Sequence, residues 1–303
     1  MVAVSTVWRS KIALSGSKLI EEIVKLPTKS IELEFRIPAL MFEELKPFVD
    51  SGDISVVSVH NFFPVPDVLM PSEGSGDAFL LSSDDEQERE RAVKYSKRTL
   101  ETASEVGAAH VVFHLGLVNV GYTKHSLVKS LIDEAVSGSD NGKLLSRVKE
   151  LRVSNRDQYL ENCIRSLDEI IETADKLSVN ICLENRLYPI EIPNLEELGM
   201  IFERFEGAPL KYWHDVGHAV IQERLGFDSS LDLIRGNAHR MAGVHLHDVR
   251  GFRDHLAPGE GEVDFEALKS QLPDDLIYVA EVHQQASVSE MVKAFELLFS
   301  LGY

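Results

Sequence analysis

Histidine and carboxylate side chains after a short apolar run are the first feature of this sequence that could do chemistry. The apolar run at residues 241–244 leads into the segment His-Leu-His-Asp at residues 245–248, and Asp254 and His255 follow a few residues later. Imidazoles and carboxylates without thiolates favour zinc, manganese, iron or cobalt over a cysteine-type structural zinc site. The segment therefore predicts metal chemistry.

The same residue types recur where other apolar runs end. Six consecutive predicted strands end in such groups, namely His60, His114, Glu184, Asp215, His245 with His247, and Glu281. A single histidine at a strand end is more often a hydrogen-bonded structural residue than a metal ligand. The conjunction is different, because burying that much charge together is costly without a compensating cation. We therefore expect these side chains to converge on an ion.

Further candidate ligands lie close to these strand ends. His218 follows Asp215 by about one helical turn, so the carboxylate and the imidazole can face the same cavity. The alternative is that Asp215 only caps the helix that begins there. Asp254, His255 and Glu260 belong to a loop over the same region, where an acidic residue is often only solvated.

A fold that gathers distant strand ends is needed to position these groups. Short β-rich runs alternate with helical patterns along the whole chain, which indicates a parallel sheet built from βα units. The eight predicted strands are residues 2–8, 30–35, 54–60, 109–114, 179–184, 210–215, 242–247 and 276–281. They are mostly apolar, as strands covered on both faces must be. The sequence therefore predicts an α/β fold, a single (β/α)8 TIM barrel over residues 1–303, with its site at the C-terminal ends of the strands.

Two connections are longer than βα loops normally are. They are predicted as insertions at about residues 61–82 and 115–157 over the C-terminal face, where they would form lids or pocket walls. The second contains a helix-like piece at residues 126–135 and a Gly- and Ser-rich run at residues 137–142. Disorder is the alternative for the Gly- and Ser-rich parts.

Two helices have a clear apolar period. Ser83 and Glu86 have the spacing of a capping box, which predicts the start of a long helix, and Gly107 suits the position just past its end. A second apolar stripe predicts a helix over residues 159–177. Both stripes are expected to cover the outside of the sheet.

Composition narrows the function. The chain has 303 residues with 31 basic and 49 acidic side chains, and this formal charge of -18 argues against a nucleic-acid partner. Two cysteines, Cys163 and Cys182, suggest no disulfide framework. The first residues lack the pattern of a signal peptide, and no run of about 18 apolar residues predicts a membrane span. A cytoplasmic protein is expected.

At this point the motifs resemble those of the xylose-isomerase-like barrel superfamily. This superfamily includes endonuclease IV (AP endonuclease family 2) and the sugar isomerases and epimerases related to tagatose 3-epimerase. The motifs that carry the resemblance are at residues 59–61, 113–116, 183–186, 214–218, 245–248 and 258–261, with Glu281. Their order and their placement at one per strand, over nearly the whole chain, carry the resemblance more than any single motif does.

The epimerase branch implies a site with one divalent ion, Zn²⁺ or Mn²⁺. Its ligands would be Glu184, Asp215, His245 and Glu281. The two glutamates would flank the substrate and move protons at adjacent carbons. The predicted substrate contacts are His218, His247, Asn185, Arg253 and Asp254, with a role in supporting the metal ligands as the alternative for His247.

The endonuclease branch implies a larger cluster. His60, His114 and the pair of His218 with His255 match additional zinc ligands there, in a three-metal site that hydrolyses a phosphodiester. This chain departs from that pattern because Asp254 and His255 are adjacent, whereas one residue separates them in the endonucleases. Arg253 then falls where a carboxylate is expected, which puts a third metal in doubt.

The favoured function is a metal-dependent isomerase or epimerase of a small-molecule sugar or sugar phosphate, since the acidic surface suits a neutral or small substrate. An endonuclease IV-like hydrolase acting on abasic DNA is the alternative, although residues 61–82 contain three acidic residues and no Lys or Arg. A barrel that binds a metal or ligand without catalysis is a third alternative. Assembly into a homo-oligomer stays open.

Overall fold

Eight parallel strands pair in chain order and close into a barrel in the computed structural model, which describes residues 1–137 and 142–303. The barrel strands are β1 Val2–Ser5, β2 Ser30–Leu33, β3 Ser55–His60, β4 His110–Phe113, β5 Asn180–Glu184, β6 Leu210–Asp215, β7 Met241–Leu246 and β8 Ile277–Ala280. Closure comes from β1 and β8, where Ala3 is in register with Val279. The predicted (β/α)8 barrel is confirmed.

Helices follow the strands in sequence. The α-helices are α1 Gly16–Ile23, α2 Ala39–Asp50, α3 Glu86–Glu105, α4 Lys124–Ser137, α5 Lys143–Leu177, α6 Leu195–Arg204, α7 Val216–Arg224, α8 Ser230–Asn237, α9 Phe265–Lys269 and α10 Val288–Ser300. Single 3₁₀ turns occur at Thr6–Trp8, Pro71–Glu73 and Ala238–Arg240. In the part of the chain that the structure describes, no helix combines the length and the apolar character needed to cross a membrane.

Two small antiparallel sheets lie in the connections after the barrel strands. Gly116–Leu117 pairs with Glu191–Ile192, and Asp248–Arg250 pairs with Arg253–Leu256. The first ties the segment after β4 to the segment after β5. The second holds the loop that carries His255 next to the end of β7.

The barrel interior has an apolar layer directly below the polar strand ends. This layer consists of Ala3, Val112, Cys182, Trp213 and Val279. Side chains two residues apart on a strand share a face. Moving two residues along each strand from this layer gives Ser5, His114, Glu184, Asp215 and Glu281. The barrel therefore has an apolar floor with a polar layer above it.

Trp213 is the largest side chain in the floor, and Gly243 on the neighbouring strand makes room for it. A Cβ atom at Gly243 would lie 2.4 Å from the Trp213 ring, closer than side chains ever approach. The glycine in the run before His245 is thus a packing requirement of the floor.

Several predicted strand ends differ from the observed ones. Residues 6–8 form a 3₁₀ turn, because the Ser5 side chain accepts a hydrogen bond from the Val7 amide and ends β1 early. His114, His247 and Glu281 each lie one residue beyond the end of their strand. Differences of one or two residues are normal at element ends and leave these side chains over the floor.

The predicted capping box at Ser83 and Glu86 is wrong. Helix α3 begins at Glu86, and Asp85 is its N-cap, with a side-chain oxygen that accepts from the Gln87 amide at 2.9 Å. The Ser83 hydroxyl instead donates to Glu88, so it fixes the chain ahead of the helix. The end of α3 is as predicted, since Gly107 has a φ of 74° in the left-handed region.

The connection predicted at residues 115–157 is largely helical. It holds α4 and the first part of α5. Helix α5 is 35 residues long and includes the helix predicted at residues 159–177. Of the Gly- and Ser-rich run at residues 137–142, residues 138–141 lie outside the described residues. The connection at residues 61–82 contains only the 3₁₀ turn Pro71–Glu73.

Candidate metal centre and active site

Polar side chains from the strand ends form three groups above the apolar floor. Within each group, one potential ligand atom from every residue lies within 4.8 Å of the others. We name them the central group (Glu184, Asp215, His245, Glu281), the lateral group (His60, His114, Glu184) and the outer group (Asp215, His218, His247, His255). Glu184 joins the central group to the lateral group, and Asp215 joins it to the outer group.

The central group surrounds Nδ1 of His245 with carboxylates. This nitrogen lies 3.1 Å from Oε1 of Glu184, 3.1 Å from Oε2 of Glu281 and 3.7 Å from Oδ2 of Asp215. All four side chains are buried. A single N–H can satisfy only one of these oxygens, and three buried carboxylates repel one another without a cation. A donor set of one imidazole and three carboxylates fits a divalent ion.

Glu32, which had no predicted role, fixes the orientation of the His245 ring. Both of its oxygens lie 3.1 Å from Nε2 of His245, and it accepts a hydrogen bond of 2.8 Å from the Ser58 hydroxyl. A hydrogen bond from Nε2–H to this carboxylate points Nδ1 at the central group. Carboxylates commonly orient metal-binding histidines in this way.

The lateral group places two imidazole nitrogens near the second oxygen of Glu184. Nδ1 of His60 lies 2.9 Å from the Asn61 carbonyl, and Nδ1 of His114 lies 2.9 Å from a carboxylate oxygen of Asp77. Both Nδ1 atoms therefore donate, and the Nε2 atoms lie 3.8 Å and 2.8 Å from Oε2 of Glu184. The guanidinium of Arg186 lies against the same atoms, with NH1 2.8 Å from that oxygen.

The outer group differs from the other two, because a main-chain amide determines which ring nitrogen of His247 carries the proton. The His255 amide donates to Nδ1 of His247 at 2.9 Å, so the proton of this imidazole is on Nε2. Nε2 lies 2.9 Å from Oδ1 of Asp215 and donates to it. In this arrangement His247 holds the carboxylate of Asp215 and is not itself free to bind an ion.

His218 and His255 complete the outer group. Nδ1 of His218 lies 3.2 Å from the Asn185 carbonyl, which leaves its Nε2 lone pair free. His255 has a φ of 53° in the left-handed region, and its ring is stacked between His247 at 4.1 Å and His283 at 4.0 Å. The three stacked rings of His247, His255 and His283 thus lead away from Asp215, which His247 contacts.

Among the predicted substrate contacts, Asn185 is held by the end of β6. Its Oδ1 accepts from the Asp215 amide at 2.8 Å and from the Tyr212 hydroxyl at 2.9 Å, and its Nδ2 donates to the Asp215 carbonyl at 2.9 Å. These contacts indicate that Asn185 positions Asp215.

Arg253 and Asp254 lie in a cavity of about 380 Å³ next to the outer group. His255, His283 and Glu260 also line it. The Arg253 side chain is exposed, while Asp254 lies with an oxygen 3.1 Å from Nδ1 of His255. The structure thus separates the two predicted contacts: Asp254 pairs with a histidine and Arg253 extends towards solvent.

The carboxylates of the central group are held ionised. Burial raises the pKa of Glu184, but the Arg186 charge and hydrogen bonds from neighbouring histidines outweigh burial and hold it well below its usual range. Burial likewise raises the pKa of Glu281, and the charges of His245 and His255 more than reverse this shift. Asp254 and Glu281 overcome the effect of burial on His255 and raise its pKa to about 10. These carboxylates are therefore in the state in which they could act as ligands of a cation.

Four residues around these groups had no predicted role. Glu32 lies in the middle of an apolar strand and Asp77 in a long connection, while Arg186 follows Glu184 by two residues and His283 follows Glu281 by two. For Arg186 and His283 the spacing was a usable signal, since residues two apart on a strand share a face. Asp77 could not be found this way, because its contact with His114 depends on the path of a loop.

Several solved structures with the same fold are named as sugar epimerases or as epimerase-like proteins. A D-tagatose 3-epimerase-like protein is 20% identical with a TM-score of 0.65, and the match covers 99% of this chain and 96% of that one. The 3-keto-D-glucoside 4-epimerase of E. coli is 16% identical with a TM-score of 0.69, covering 99% and 98%. The D-psicose 3-epimerase of Clostridium cellulolyticum H10 is 14% identical with a TM-score of 0.67, covering 99% and 98%. At these identities the likeness is one of fold.

Among curated proteins, an uncharacterized protein of Sinorhizobium fredii, y4fM, is 23% identical over 190 residues. That match covers 62% of this chain and spans only half of the relative's length. The family model described as xylose isomerase-like TIM barrel matches residues 20–297. It confirms the resemblance drawn from the strand-end motifs, and the chain belongs to the xylose isomerase-like TIM barrel family.

Proposed function

We propose that the protein is a divalent-metal-dependent isomerase or epimerase of a sugar or sugar phosphate, with Glu184 and Glu281 as the proton-transfer groups. The observation that carries this proposal is the central group. Two glutamates from different strands each place an oxygen 3.1 Å from the same nitrogen of His245. The same reaction class is supported by the fold's similarity to two sugar epimerases and a D-tagatose 3-epimerase-like protein.

The proposed metal site is the central group, and Zn²⁺ or Mn²⁺ suits its donors. When bound there, the ion would supply Lewis-acid stabilisation of negative charge on substrate oxygens. Glu32 would keep the His245 lone pair directed at the site, and His247 and Asn185 would hold the Asp215 carboxylate in place.

Glu184 and Glu281 have different surroundings, which suits two different proton transfers. Glu184 is paired with the permanent cation Arg186, so it stays ionised and can accept a proton from carbon. Glu281 lies 3.7 Å from Nε2 of His255, whose pKa is raised to about 10 by Asp254 and Glu281 against the effect of burial. A protonated His255 can pass a proton to Glu281, which would then deliver it to carbon on that side of the site.

The cavity beside the outer group is the proposed substrate entrance. Its lining of Arg253, Asp254 and Glu260 can hydrogen-bond the hydroxyl groups of a sugar, and Arg253 could pair with a phosphate. A small, neutral or singly substituted sugar is compatible with the overall charge of -18.

Hydrolysis of a phosphodiester in abasic DNA is the second candidate. The observation that favours it is the set of imidazoles beyond those the central group needs, in the lateral and outer groups. Against it stand the acidic composition and the guanidinium of Arg186 at the lateral group. A DNA enzyme needs several phosphate contacts along a basic groove.

Turnover assays separate the two candidates. The purified protein, loaded with Zn²⁺ or Mn²⁺, is assayed against a panel of ketoses and sugar phosphates, and in parallel against duplex DNA with one abasic site. We expect sugar turnover and no nicking. Nicking of the DNA without sugar turnover would overturn the proposal.

The variant Glu281→Gln tests the role of the second glutamate. It removes the proton-transfer group while keeping the size of the side chain, so kcat should fall by at least about 10²-fold. The metal content of the variant is measured as well, since Glu281 is also a proposed ligand. Glu262→Gln is the matched control, because that glutamate forms an ion pair with Arg224 and lies outside the three groups. A fully metal-loaded Glu281→Gln protein with unchanged kcat would remove Glu281 from the mechanism.

A further inference from the structure

The guanidinium of Arg186 lies where an ion bound to the lateral group would have to be. NH1 is 2.5 Å from Nε2 of His114 and 2.8 Å from Oε2 of Glu184. These are two of the atoms with which the lateral group could bind a metal. One nitrogen of the arginine is thus in contact with both of the atoms that such an ion would need.

The lateral group is otherwise arranged like a set of metal ligands. Nδ1 of His60 donates to a carbonyl and Nδ1 of His114 donates to Asp77, which directs both Nε2 atoms inwards. Histidine ligands are normally fixed by such hydrogen bonds from the far side of the ring. The lateral group is therefore a potential metal site that is occupied by a side chain of the protein.

Two carboxylates hold the guanidinium in this position. NH2 of Arg186 lies 3.4 Å from Glu191 and 3.5 Å from Asp77, and the arginine side chain is only 6% exposed. Lys124 binds the same two carboxylates, at 2.7 Å and 2.6 Å. If Arg186 swung out, it would leave buried acidic groups short of a cation, which is costly. An incoming ion would have to displace a well-anchored arginine.

We propose that Arg186 is a built-in cation that keeps metal out of the lateral group. Glu184 then gives one oxygen to Arg186 and keeps the other for the central group, to which metal binding is directed. This inference rests on the proposed function only in taking the central group as the metal-binding site. It also explains how a chain with an almost complete set of multi-metal ligands can be a sugar enzyme.

The number of bound ions tests this proposal without any activity assay. The full-length wild-type chain and its variants are loaded with ZnCl₂, freed of excess metal by gel filtration, and analysed for zinc per chain. We expect His114→Ala to leave the wild-type number unchanged, because His114 is bonded to Arg186 and not to a metal. We expect Arg186→Ala to bind one additional ion, and Arg186→Ala combined with His114→Ala to return to the wild-type number.

Arg186→Lys is the matched control, since it keeps a positive charge at this position and should add no ion. Thermal melting of each variant shows whether it is folded, and the comparison of wild type with His114→Ala needs no change at Arg186. Loss of one zinc from the wild-type chain on His114→Ala would overturn the proposal, as would an unchanged zinc number in folded Arg186→Ala. Absence of sugar turnover with the expected ion numbers would overturn the proposed function alone.

Discussion

The two oxygens of Glu184 face two halves of the barrel mouth that balance negative charge in different ways. Oε2 contacts two histidines and the guanidinium of Arg186. Unlike a bound ion, this cation is part of the chain and cannot dissociate. Oε1 meets His245 in the central group, where the other neighbours are the carboxylates of Asp215 and Glu281. One half already contains its cation, and the other half has an excess of buried acidic groups.

The difference predicts that similar sets of ligand residues bind different numbers of ions. Whether a histidine and carboxylate group binds metal depends on the nearest fixed positive charge as well as on its ligands. The arginine is part of the chain and is present at any metal concentration. An exchangeable ion can, in addition, bind substrate oxygens. We therefore connect the chemistry of this site with the half that lacks the arginine.

Removal of the imidazole from the central group should have the largest effect. In His245→Ala the proposed ion loses a ligand, and because a Lewis acid contributes several kcal/mol, turnover should fall by at least about 10³-fold. Zinc per chain should fall by one. The measurements are steady-state kinetics and metal analysis of the purified variant.

His214→Ala is the control for this variant. His214 is also a buried histidine at the end of a barrel strand, but it contacts the Tyr212 hydroxyl at 2.8 Å and belongs to none of the three groups. It should keep the zinc content of the wild type. Loss of zinc in both variants would mean that the effect comes from general damage to the barrel.

Removal of metal should lower stability through the central group and not through the lateral group. An ion at about 100 times its dissociation constant stabilises the folded state by about 2.7 kcal/mol. Thermal melting with ZnCl₂ and with EDTA should show this difference in the wild type and in His114→Ala. If the His114→Ala protein no longer responds to EDTA, the lateral group binds the ion and the comparison is wrong.

A smaller effect is expected from Glu32→Gln. The amide can no longer accept the His245 proton as a charged carboxylate does, and residues that orient a metal ligand typically contribute about 10–100-fold in metal affinity. Competition with a chelator of known affinity measures the change. Glu34→Gln is the matched control. Glu34 is also buried and lies just beyond the end of β2, but it pairs with Arg36 instead of His245. Equal losses in both variants would contradict the role of Glu32.

The barrel and the strand-end positions could be predicted because they depend on local periodicity. Alternating strands and helices force a parallel sheet, and once the sheet closes, Glu184 and Asp215 must face the same axis. The family resemblance depended on the same positions. Gly107 was predictable for a similar reason, since the left-handed conformation after a helix favours glycine.

The remaining features depend on contacts between distant segments. Nothing in the local sequence shows that Glu32 would reach His245, or that Asp77 and Glu191 would hold Arg186 over the lateral group. The position of the proton on the His247 ring depends on the amide of His255, which only the fold of that loop reveals. The capping error has the same origin, because Ser83 finds a partner in Glu88 and leaves the cap to Asp85.

Anomalous diffraction from crystals grown with ZnCl₂ or MnCl₂ tests the central claim most directly. We predict a peak in the central group within about 2.0–2.3 Å of its ligand atoms. We predict no peak between His60 and His114, with the Arg186 guanidinium still bound to Glu184. A peak in the lateral group, with Arg186 turned away from it, would contradict the account.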